Sequence, residues 1–225
     1  MKIKAIIFDM DGVLIDSEQL HELSGNNVLE KFGLSVDKKD DYYFKGSTDQ
    51  DFYTHLIQKH KLQTTHEKLS KERNQKYLEL ARQELGAFPN TEKVLHELHK
   101  KYVLAITTSG SKSTVNLMFE KFEWKKYFKA VTTCEEVNYG KPNPEPYLKT
   151  IQKLKLKPSE CIVVEDALKG IESAKLAGAH VIAVTHSFPE EQITQHKIKP
   201  DQIAHNLLEV LEKIKEIERN FNKHK

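Results

Sequence analysis

Short runs of apolar and β-branched residues recur along this chain and are separated by amphipathic stretches. The runs fall at residues 5–8, 102–106, 130–133, 161–164 and 181–184. A short apolar run without regular polar alternation is typical of a strand that is buried on both faces, as in a parallel sheet. The pattern therefore predicts that these five runs are strands of one sheet.

Stretches with helical spacing follow most of these strands. One predicted helix begins at Thr91, and three others span residues 112–122, 144–154 and 170–177. A last amphipathic helix is predicted around Leu207 to Ile217. The helix at 144–154 has prolines in its first turn, where a missing N–H costs little. This alternation of strand and helix predicts an α/β fold with a doubly wound parallel sheet.

Residues 16–86 differ from the rest of the chain, because no strand-like run occurs there. One helix is predicted to end at Gly33, a second to begin at Thr48 or Asp49, and a third to span residues 66–85. This part of the chain is therefore predicted to be entirely helical.

The length of 225 residues suits one large domain, or one domain with an insertion. We predict an α/β core domain of residues 1–15 and 87–225, with an all-helical cap domain inserted at 16–86. A hydrophobic content of 38% and a charged content of 30% permit a packed core under a well-solvated surface.

The charge balance bears on which classes of partner the protein is expected to bind. The formal charge is +2, from 35 basic and 33 acidic residues, which gives no sign of a nucleic acid or an anionic membrane as partner. No apolar stretch approaches the roughly 20 residues of a membrane span, and a cytoplasmic location is expected. Cys134 and Cys161 each lie beside a predicted strand and are expected to be reduced, structural thiols.

Two carboxylates, Asp9 and Asp11, follow the first strand and precede Gly12. Residues two apart in extended chain share a side, so both carboxylates can approach the same small volume. Their repulsion favours a cation beside them, and oxygen ligands suit Mg²⁺. One carboxylate could then attack phosphorus while the other moves protons. The alternatives are a structural turn and a calcium loop, but a calcium loop places its glycine later in the motif.

Two later segments also place polar or charged side chains next to a predicted strand. Residues 107–111 offer the hydroxyls of Thr108 and Ser109 and free backbone N–H groups, which can hold phosphate oxygens. Ser111 could instead supply only a helix cap. Lys141 lies between a glycine and two prolines, which is a stiff mount for a side chain that is usually solvated.

Another strand ends in two adjacent acids, Glu165 and Asp166. Capping of the next helix by Asp166 is the structural alternative. Because ligands of open α/β sheets bind outside the carboxyl ends of the strands, we expect these acids to lie at the same edge as the first pair of carboxylates. Their joint appearance is more specific than any single motif.

The set of motifs resembles the haloacid dehalogenase superfamily, in order and in spacing, over nearly the whole chain. The matching segments are Asp9-Met10-Asp11-Gly12-Val13, Thr108, Lys141 and Glu165-Asp166. The resemblance implies a Rossmann-like core, and residues 16–86 are similar to the cap that follows the first motif in one large branch. The chain is most similar to the β-phosphoglucomutase-like group of sugar-phosphate phosphatases and mutases.

The resemblance also implies a role for each motif residue. Asp9 would be the nucleophile and Asp11 the general acid and base, whereas dehalogenases lack a carboxylate at the second position. Thr108 and Lys141 would bind the transferring phosphoryl group. The Mg²⁺ ligands would be the Asp9 side chain, the Asp11 backbone carbonyl, Asp166 and, as a further candidate, Glu165.

Three cap residues are candidates for substrate binding, together with Ser109, Thr108 and Lys141 of the core. The resemblance places His21 near the core–cap hinge, and it makes Lys45 and Gly46 part of a cap loop that faces the substrate. For His21 the alternative is a structural histidine on a helix.

The leading hypothesis is a Mg²⁺-dependent phosphatase that hydrolyses a small phosphorylated metabolite, with a sugar phosphate as first candidate, through an aspartyl-phosphate intermediate. The alternative is a phosphomutase of the β-phosphoglucomutase type. A third hypothesis, from another class, is a non-catalytic phosphate-binding module. A monomer or weak homodimer is expected.

A mutase needs cap cations that hold a second phosphate. Aligned on Gly46, Asp49 stands where an arginine of the mutases is expected, and Glu79 stands about where a lysine is expected. An acid would repel a second phosphate, so the sequence predicts hydrolysis rather than mutase activity. Three nearby cations remain as substitutes: Arg73, Lys76 and Arg82.

Overall fold

The computed structural model describes residues 2–223. Its strands are β1 (Ala5–Phe8), β2 (Ile15–Asp16), β3 (Gly86–Ala87), β4 (Val103–Thr107), β5 (Phe128–Thr132), β6 (Cys161–Glu165), β7 (His180–Val184) and β8 (Gln202–Ala204). Its α-helices are α1 (Glu18–Leu29), α2 (Lys38–Phe44), α3 (Asp49–His60), α4 (His66–Glu84), α5 (Thr91–His99), α6 (Lys112–Phe122), α7 (Glu145–Leu154), α8 (Leu168–Leu176), α9 (Glu190–Gln195) and α10 (Leu207–Lys223).

Six strands form one sheet in the order β5-β4-β1-β6-β7-β8, and every neighbouring pair is parallel. All four residues of β1 are buried, as its apolar run predicts. The strand order turns at β1, which lies between β4 and β6. In open α/β sheets such a switch point opens a crevice at the carboxyl ends of the strands.

The two faces of the sheet carry separate hydrophobic cores. On one face Ile6, Phe8 and Ile106 pack with residues of α5, α6 and α10. On the other face Ile7 and Val163 pack with residues of α7 and α8. Helices thus cover both faces, and the predicted doubly wound α/β fold is confirmed.

The segment between β2 and β3 is helical and consists of α1 to α4 with a short 3₁₀ turn. It has its own small core of Val28, Leu29, Tyr53, Leu56 and Leu69. The antiparallel pair of β2 with β3 is where the chain leaves and re-enters the main sheet's domain. The inserted all-helical cap is therefore confirmed, whereas its exact boundaries at residues 16 and 86 remain a prediction.

Local signals placed several helix ends correctly. Gly33 has a φ of +67° after the first helix and its 3₁₀ turn, in the left-handed region that glycine favours. The Thr48 hydroxyl accepts a hydrogen bond from the backbone N–H of Asp51 and caps α3. Ser111 caps α6 in the same way, whereas Asp166 does not cap the next helix, because α8 is preceded by Ala167.

Five short strands and α-helices were not predicted: β2, β3, β8, α2 and α9. The strand β8 has only three residues, and it forms because the edge of β7 supplies hydrogen-bond partners. The helices α2 and α9 are short and largely polar, so neither shows an apolar period. The strand predicted at 130–133 begins earlier, at Phe128. The differences in the strands arise from tertiary pairing that no local pattern contains.

Cys134 and Cys161 are free thiols, and burial raises the pKa of each to about 12. Neither thiol is therefore ionised near neutral pH, as suits a structural role. Among residues 2–223, no helix combines the length and the apolar character that a membrane span requires.

Candidate active site

The polar residues predicted at strand ends lie together at the carboxyl edge of the sheet. Asp9 follows β1, Thr108 follows β4, and Glu165 is the last residue of β6. The strand β1 pairs with both β4 and β6, so the three ends are neighbours. This edge opens into a cleft of about 1470 Å³ between the core and the cap.

Lys141 is the electrostatic centre of this edge. Its Nζ lies 2.5 Å from Asp9 Oδ1 and 2.5 Å from Glu165 Oε1. Its side chain is only 2% exposed, although lysine is rarely buried without partners. Burial opposes the charge, but Asp9 and Glu165 overcome this effect and hold the pKa of Lys141 above its usual value. Lys141 is therefore a cation fixed against the carboxylate of Asp9.

Glu165 is fully buried and holds Lys141 from behind. Its Oε1 accepts hydrogen bonds from Lys141 Nζ and from the Tyr147 hydroxyl, at 2.5 and 2.8 Å. Its Oε2 accepts from the backbone N–H groups of Asp166 and Ala167, at 2.9 and 3.0 Å. Each carboxylate oxygen already has two donors, which suits an anchor for Lys141 better than a direct metal ligand.

Three carboxylates at this edge have the chemistry of a hard-metal site. Oxygens of Asp9, Glu165 and Asp166 all lie within 4.8 Å of one another, and all three residues are buried. Burial, with repulsion from Glu165, raises the pKa of Asp166 to about 7. Burial also raises the pKa of Asp9 well above its usual value, although Lys141 opposes this shift. A divalent cation bound to the oxygens of Asp9 and Asp166 would relieve the repulsion among the three acids, so the residues present fit Mg²⁺.

Gly12 leaves the space that Asp166 occupies. Its φ is +78°, and a Cβ at this position would lie 2.0 Å from Asp166 Oδ2. Asp166 also accepts a hydrogen bond from the Ser187 hydroxyl. The glycine of the first motif is therefore required both by its backbone conformation and by the close approach of the acid.

Asp11 lies at the mouth of the same edge and is held by the cap side. Its Oδ1 accepts hydrogen bonds from the Ser17 hydroxyl at 2.6 Å and contacts His21 Nε2 at 2.9 Å, while Thr108 Oγ1 lies 3.4 Å from Oδ2. Burial raises the pKa of Asp11, but His21, Ser17 and Arg73 together lower it by more, so it stays below its usual value. In this state Asp11 is ionised and can accept a proton.

Arg73, on cap helix α4, reaches the other nitrogen of His21. Its Nη2 contacts His21 Nδ1, and its Nη1 lies 3.3 Å from Asp49 Oδ2. A guanidinium only donates hydrogen bonds, so Nδ1 must accept, and Nε2 carries the proton that His21 donates to Asp11. His21 thus links the arginine of the cap to the carboxylate of the core.

The cap loop at Lys45 and Gly46 closes over the core. Gly46 has a φ of +82°, and a Cβ there would lie 2.8 Å from the Cβ of Ala167. The Ser109 hydroxyl donates to the Gly46 carbonyl at 2.9 Å. The Lys45 ammonium contacts the carboxylate of Glu18. Ser109 therefore joins the core to the cap in this closed arrangement.

All the sequence-predicted site residues line the cleft: Asp9, Asp11, His21, Lys45, Gly46, Thr108, Ser109, Lys141, Glu165 and Asp166. Glu79 does not; it pairs with Lys76 on the surface and is 62% exposed. Arg73 lies in the cleft, where the sequence offered it only as one of several substitutes. The contributions of Tyr147 and Ser187 had no sequence signal, because each acts through a contact made by folding.

Replacing Lys141 by methionine is expected to destabilise the metal-free protein by about 3–5 kcal/mol, because the buried acids around it would lose their cation. Urea denaturation in a chelator measures the change. The control is Lys100→Met, which breaks an exposed ion pair with Glu97 and should change the stability far less than Lys141→Met does. Equal costs for the two variants would show that the acids do not depend on Lys141.

The family comparison matches most of the chain. A model of the haloacid dehalogenase-like hydrolase family matches residues 6–184. The match includes the first motif, Thr108, Lys141, Glu165 and Asp166.

Named relatives cover most of the chain as well. A phosphorylated carbohydrates phosphatase of Thermotoga maritima is 28% identical over 218 residues, which cover 92% of this chain and 100% of that protein. A fructose-1-phosphate phosphatase of Escherichia coli is 26% identical over 179 residues, which cover 80% of this chain and 95% of that protein. The crystal structure of a β-phosphoglucomutase from Clostridium difficile matches with a TM-score of 0.83 at 21% identity, over 99% of this chain and 98% of that one. At that identity the structural match bears on the fold alone.

Proposed function

Since the chain belongs to the haloacid dehalogenase-like hydrolase family, we propose that it is a Mg²⁺-dependent phosphatase that hydrolyses the monophosphate of a small metabolite, with sugar phosphates as first candidates. The predicted family and enzyme class are thereby confirmed, because relatives named as phosphatases align over most of the chain. The observation that carries the proposal is the pair of Asp9, fixed by Lys141, and Asp11, held by His21 at the same cleft.

In the proposed reaction Asp9 attacks phosphorus and forms a bond from its carboxylate oxygen. The bond from phosphorus to the alcohol oxygen breaks, and Asp11 gives its proton to that oxygen. Water then attacks the aspartyl phosphate, and Asp11 takes a proton from it. The bond from Asp9 to phosphorus breaks, which releases phosphate and restores both side chains to their starting states.

Asp11 must be protonated for the first step, although its pKa is low in the ligand-free closed state. The dianionic phosphate of a substrate would add negative charge beside Asp11 and raise its pKa, so proton uptake accompanies substrate binding. The Thr108 hydroxyl and the Lys141 ammonium lie at the same edge and would hold the phosphoryl oxygens.

Mg²⁺, when bound, would neutralise charge so that a carboxylate can approach an anionic phosphate. Asp9, Asp166 and the backbone carbonyl of Asp11 are the proposed ligands. Among the hydrogen bonds of residues 2–223, one oxygen of Asp9 and one oxygen of Asp166 have no donor, which supports their assignment. Glu165 is proposed to act through Lys141.

A phosphomutase is the alternative, and it requires a free cap cation for a second phosphate. Of the cap cations that line the cleft, Arg73 already pairs with Asp49 and Lys45 with Glu18. The sequence indicated that Asp49 would itself repel a second phosphate. In the structure Asp49 instead neutralises Arg73, so that this arginine is not free to bind a second phosphate. This pairing, and relatives named as phosphatases, favour hydrolysis. A non-catalytic module would not need both Asp9 and Asp11. Cytoplasmic location and a monomer or weak homodimer remain predictions.

The test is a panel of sugar monophosphates, including fructose 1-phosphate, assayed for phosphate release with Mg²⁺ and with chelator. Hydrolysis is expected without a bisphosphate activator, because no second phosphate needs to be held. To separate the alternative, β-glucose 1-phosphate is supplied with a trace of glucose 1,6-bisphosphate and both products are followed. Glucose 6-phosphate forming faster than free phosphate would overturn the phosphatase proposal in favour of the mutase.

A further inference from the structure

We propose that the ion pair of Arg73 with Asp49 selects the leaving group: it binds the hydroxyls of an uncharged polyol and rejects a leaving group that carries a second phosphate or a carboxylate. The proposal rests on the proposed function, since it concerns the part of the same substrate that lies beyond the transferring phosphate. Both residues line the cleft, on the cap side opposite Asp9.

Arg73 is held rigidly. Its side chain is 12% exposed, and its guanidinium carbon lies 5.2 Å from the centre of the Tyr77 ring. The same ring stacks on His21, with ring centres 4.6 Å apart. A guanidinium that is fixed by a ring, an imidazole and Asp49 cannot swing toward a new anion without breaking these contacts. The Arg73 guanidinium is therefore positioned to bind a ligand in one orientation.

The pair offers both kinds of hydrogen-bonding group. The guanidinium has five N–H donors, of which the contacts to Asp49 and His21 use only part, and the Asp49 carboxylate has further acceptor positions. Each hydroxyl of a sugar or polyol can donate and accept at once. Neighbouring hydroxyls can therefore bind both the guanidinium donors and the carboxylate acceptors of this pair. A phosphate dianion only accepts hydrogen bonds, so it could bind the donors but not the carboxylate.

The charge of the cap side of the cleft, called the cap wall below, also favours an uncharged leaving group. Among the described cap residues that line the cleft, five are carboxylates: Glu18, Glu22, Asp49, Asp51 and Glu67. Three are lysine or arginine: Lys45, Lys71 and Arg73. With neutral histidines the cap wall carries five negative and three positive charges, a net of −2. A second anionic group on the substrate would approach this negative cap wall and would also compete with Asp49 for Arg73.

The experiment compares two substrates that differ by one phosphate, fructose 1-phosphate and fructose 1,6-bisphosphate, in the full-length wild type and in Asp49→Asn. Asparagine keeps the shape and an oxygen that can accept from Arg73, but it leaves the guanidinium charge uncompensated. The ratio of kcat/KM for monophosphate over bisphosphate should fall by about tenfold or more in the variant. Hydrolysis of p-nitrophenyl phosphate verifies that the catalytic edge is intact.

Two further variants test whether the effect passes through Arg73. Asp51→Asn removes the same charge from the same helical turn and the same cap wall, but Asp51 binds Thr48 and not Arg73; its ratio should change by less than about twofold. In the double variant Asp49→Asn/Arg73→Gln the gain on the bisphosphate should disappear. A gain that persists without Arg73, or equal gains in both single variants, would overturn the assignment to the ion pair.

The outcomes separate this inference from the proposed function. Wild type that hydrolyses fructose 1-phosphate, together with an unchanged ratio in Asp49→Asn, overturns the inference alone. Wild type that releases phosphate neither from these three substrates nor from any member of the sugar-monophosphate panel overturns the proposed function and the inference with it. A ratio that falls only when Arg73 is present supports both.

Discussion

Replacing Asp9 by asparagine is expected to lower turnover by roughly four orders of magnitude or more, because the amide cannot attack phosphorus. The carboxylate lies at the end of β1, with Lys141 Nζ 2.5 Å from one oxygen. The measurement is single-turnover and steady-state phosphate release from the best sugar phosphate of the panel. Near wild-type turnover in the purified variant would exclude Asp9 as nucleophile.

The same variant should keep its fold. Asp9 is 6% exposed and lies among other acids, and its pKa is raised well above its usual value, first of all by burial. A raised carboxylate pKa means that the charged form is disfavoured in the folded state, so removal of the charge should not lower stability at neutral pH. In a chelator, the midpoint of thermal unfolding is expected to equal or exceed that of wild type. Asp16→Asn, at an exposed position, is the control and should keep both activity and midpoint.

Replacing Asp166 by alanine is expected to abolish the effect of Mg²⁺ on the protein. For wild type, Mg²⁺ at about 100 times its Kd should stabilise the fold by about 2.7 kcal/mol, because the metal binds only the folded state. Without the Asp166 carboxylate the site loses one of the oxygens that lie within 4.8 Å of one another. Thermal unfolding with and without Mg²⁺ gives a reading that does not depend on turnover, and activity should fall with it.

Thr108→Ala is the comparison for Asp166→Ala, because Thr108 lies at the same edge but donates its hydroxyl toward Asp11. It should lose less Mg²⁺ affinity than Asp166→Ala in a calorimetric titration. Ca²⁺ should inhibit wild type, since it prefers longer bonds of about 2.3–2.6 Å and more ligands. The opposite order of the two variants would exchange the roles given to these residues, and full activity in a chelator would exclude a metal.

The alternation of residue types along the chain was enough to place most of the site. Asp9, Thr108 and Glu165 each follow or end a short buried run, and the carboxyl ends of parallel strands meet at one edge whatever the loops between them do. Helix ends at Gly33 and Thr48 were also predictable, because a left-handed glycine and a capping hydroxyl act within a few residues. Local physics decided these features, and the sequence records local physics directly.

The interactions between distant segments were decided only by the tertiary structure. Lys141 and Asp9 are 132 positions apart, and Arg73 and His21 are 52 apart, so no local period could pair them. From the sequence alone, Asp49 was interpreted as an acid that repels a second phosphate. It forms an ion pair with Arg73 because α3 and α4 pack together. Charge acts through space and depends on the distance and burial of both partners. The sequence by itself therefore determined which residues reach the sheet edge, whereas folding decided which charges neutralise one another there.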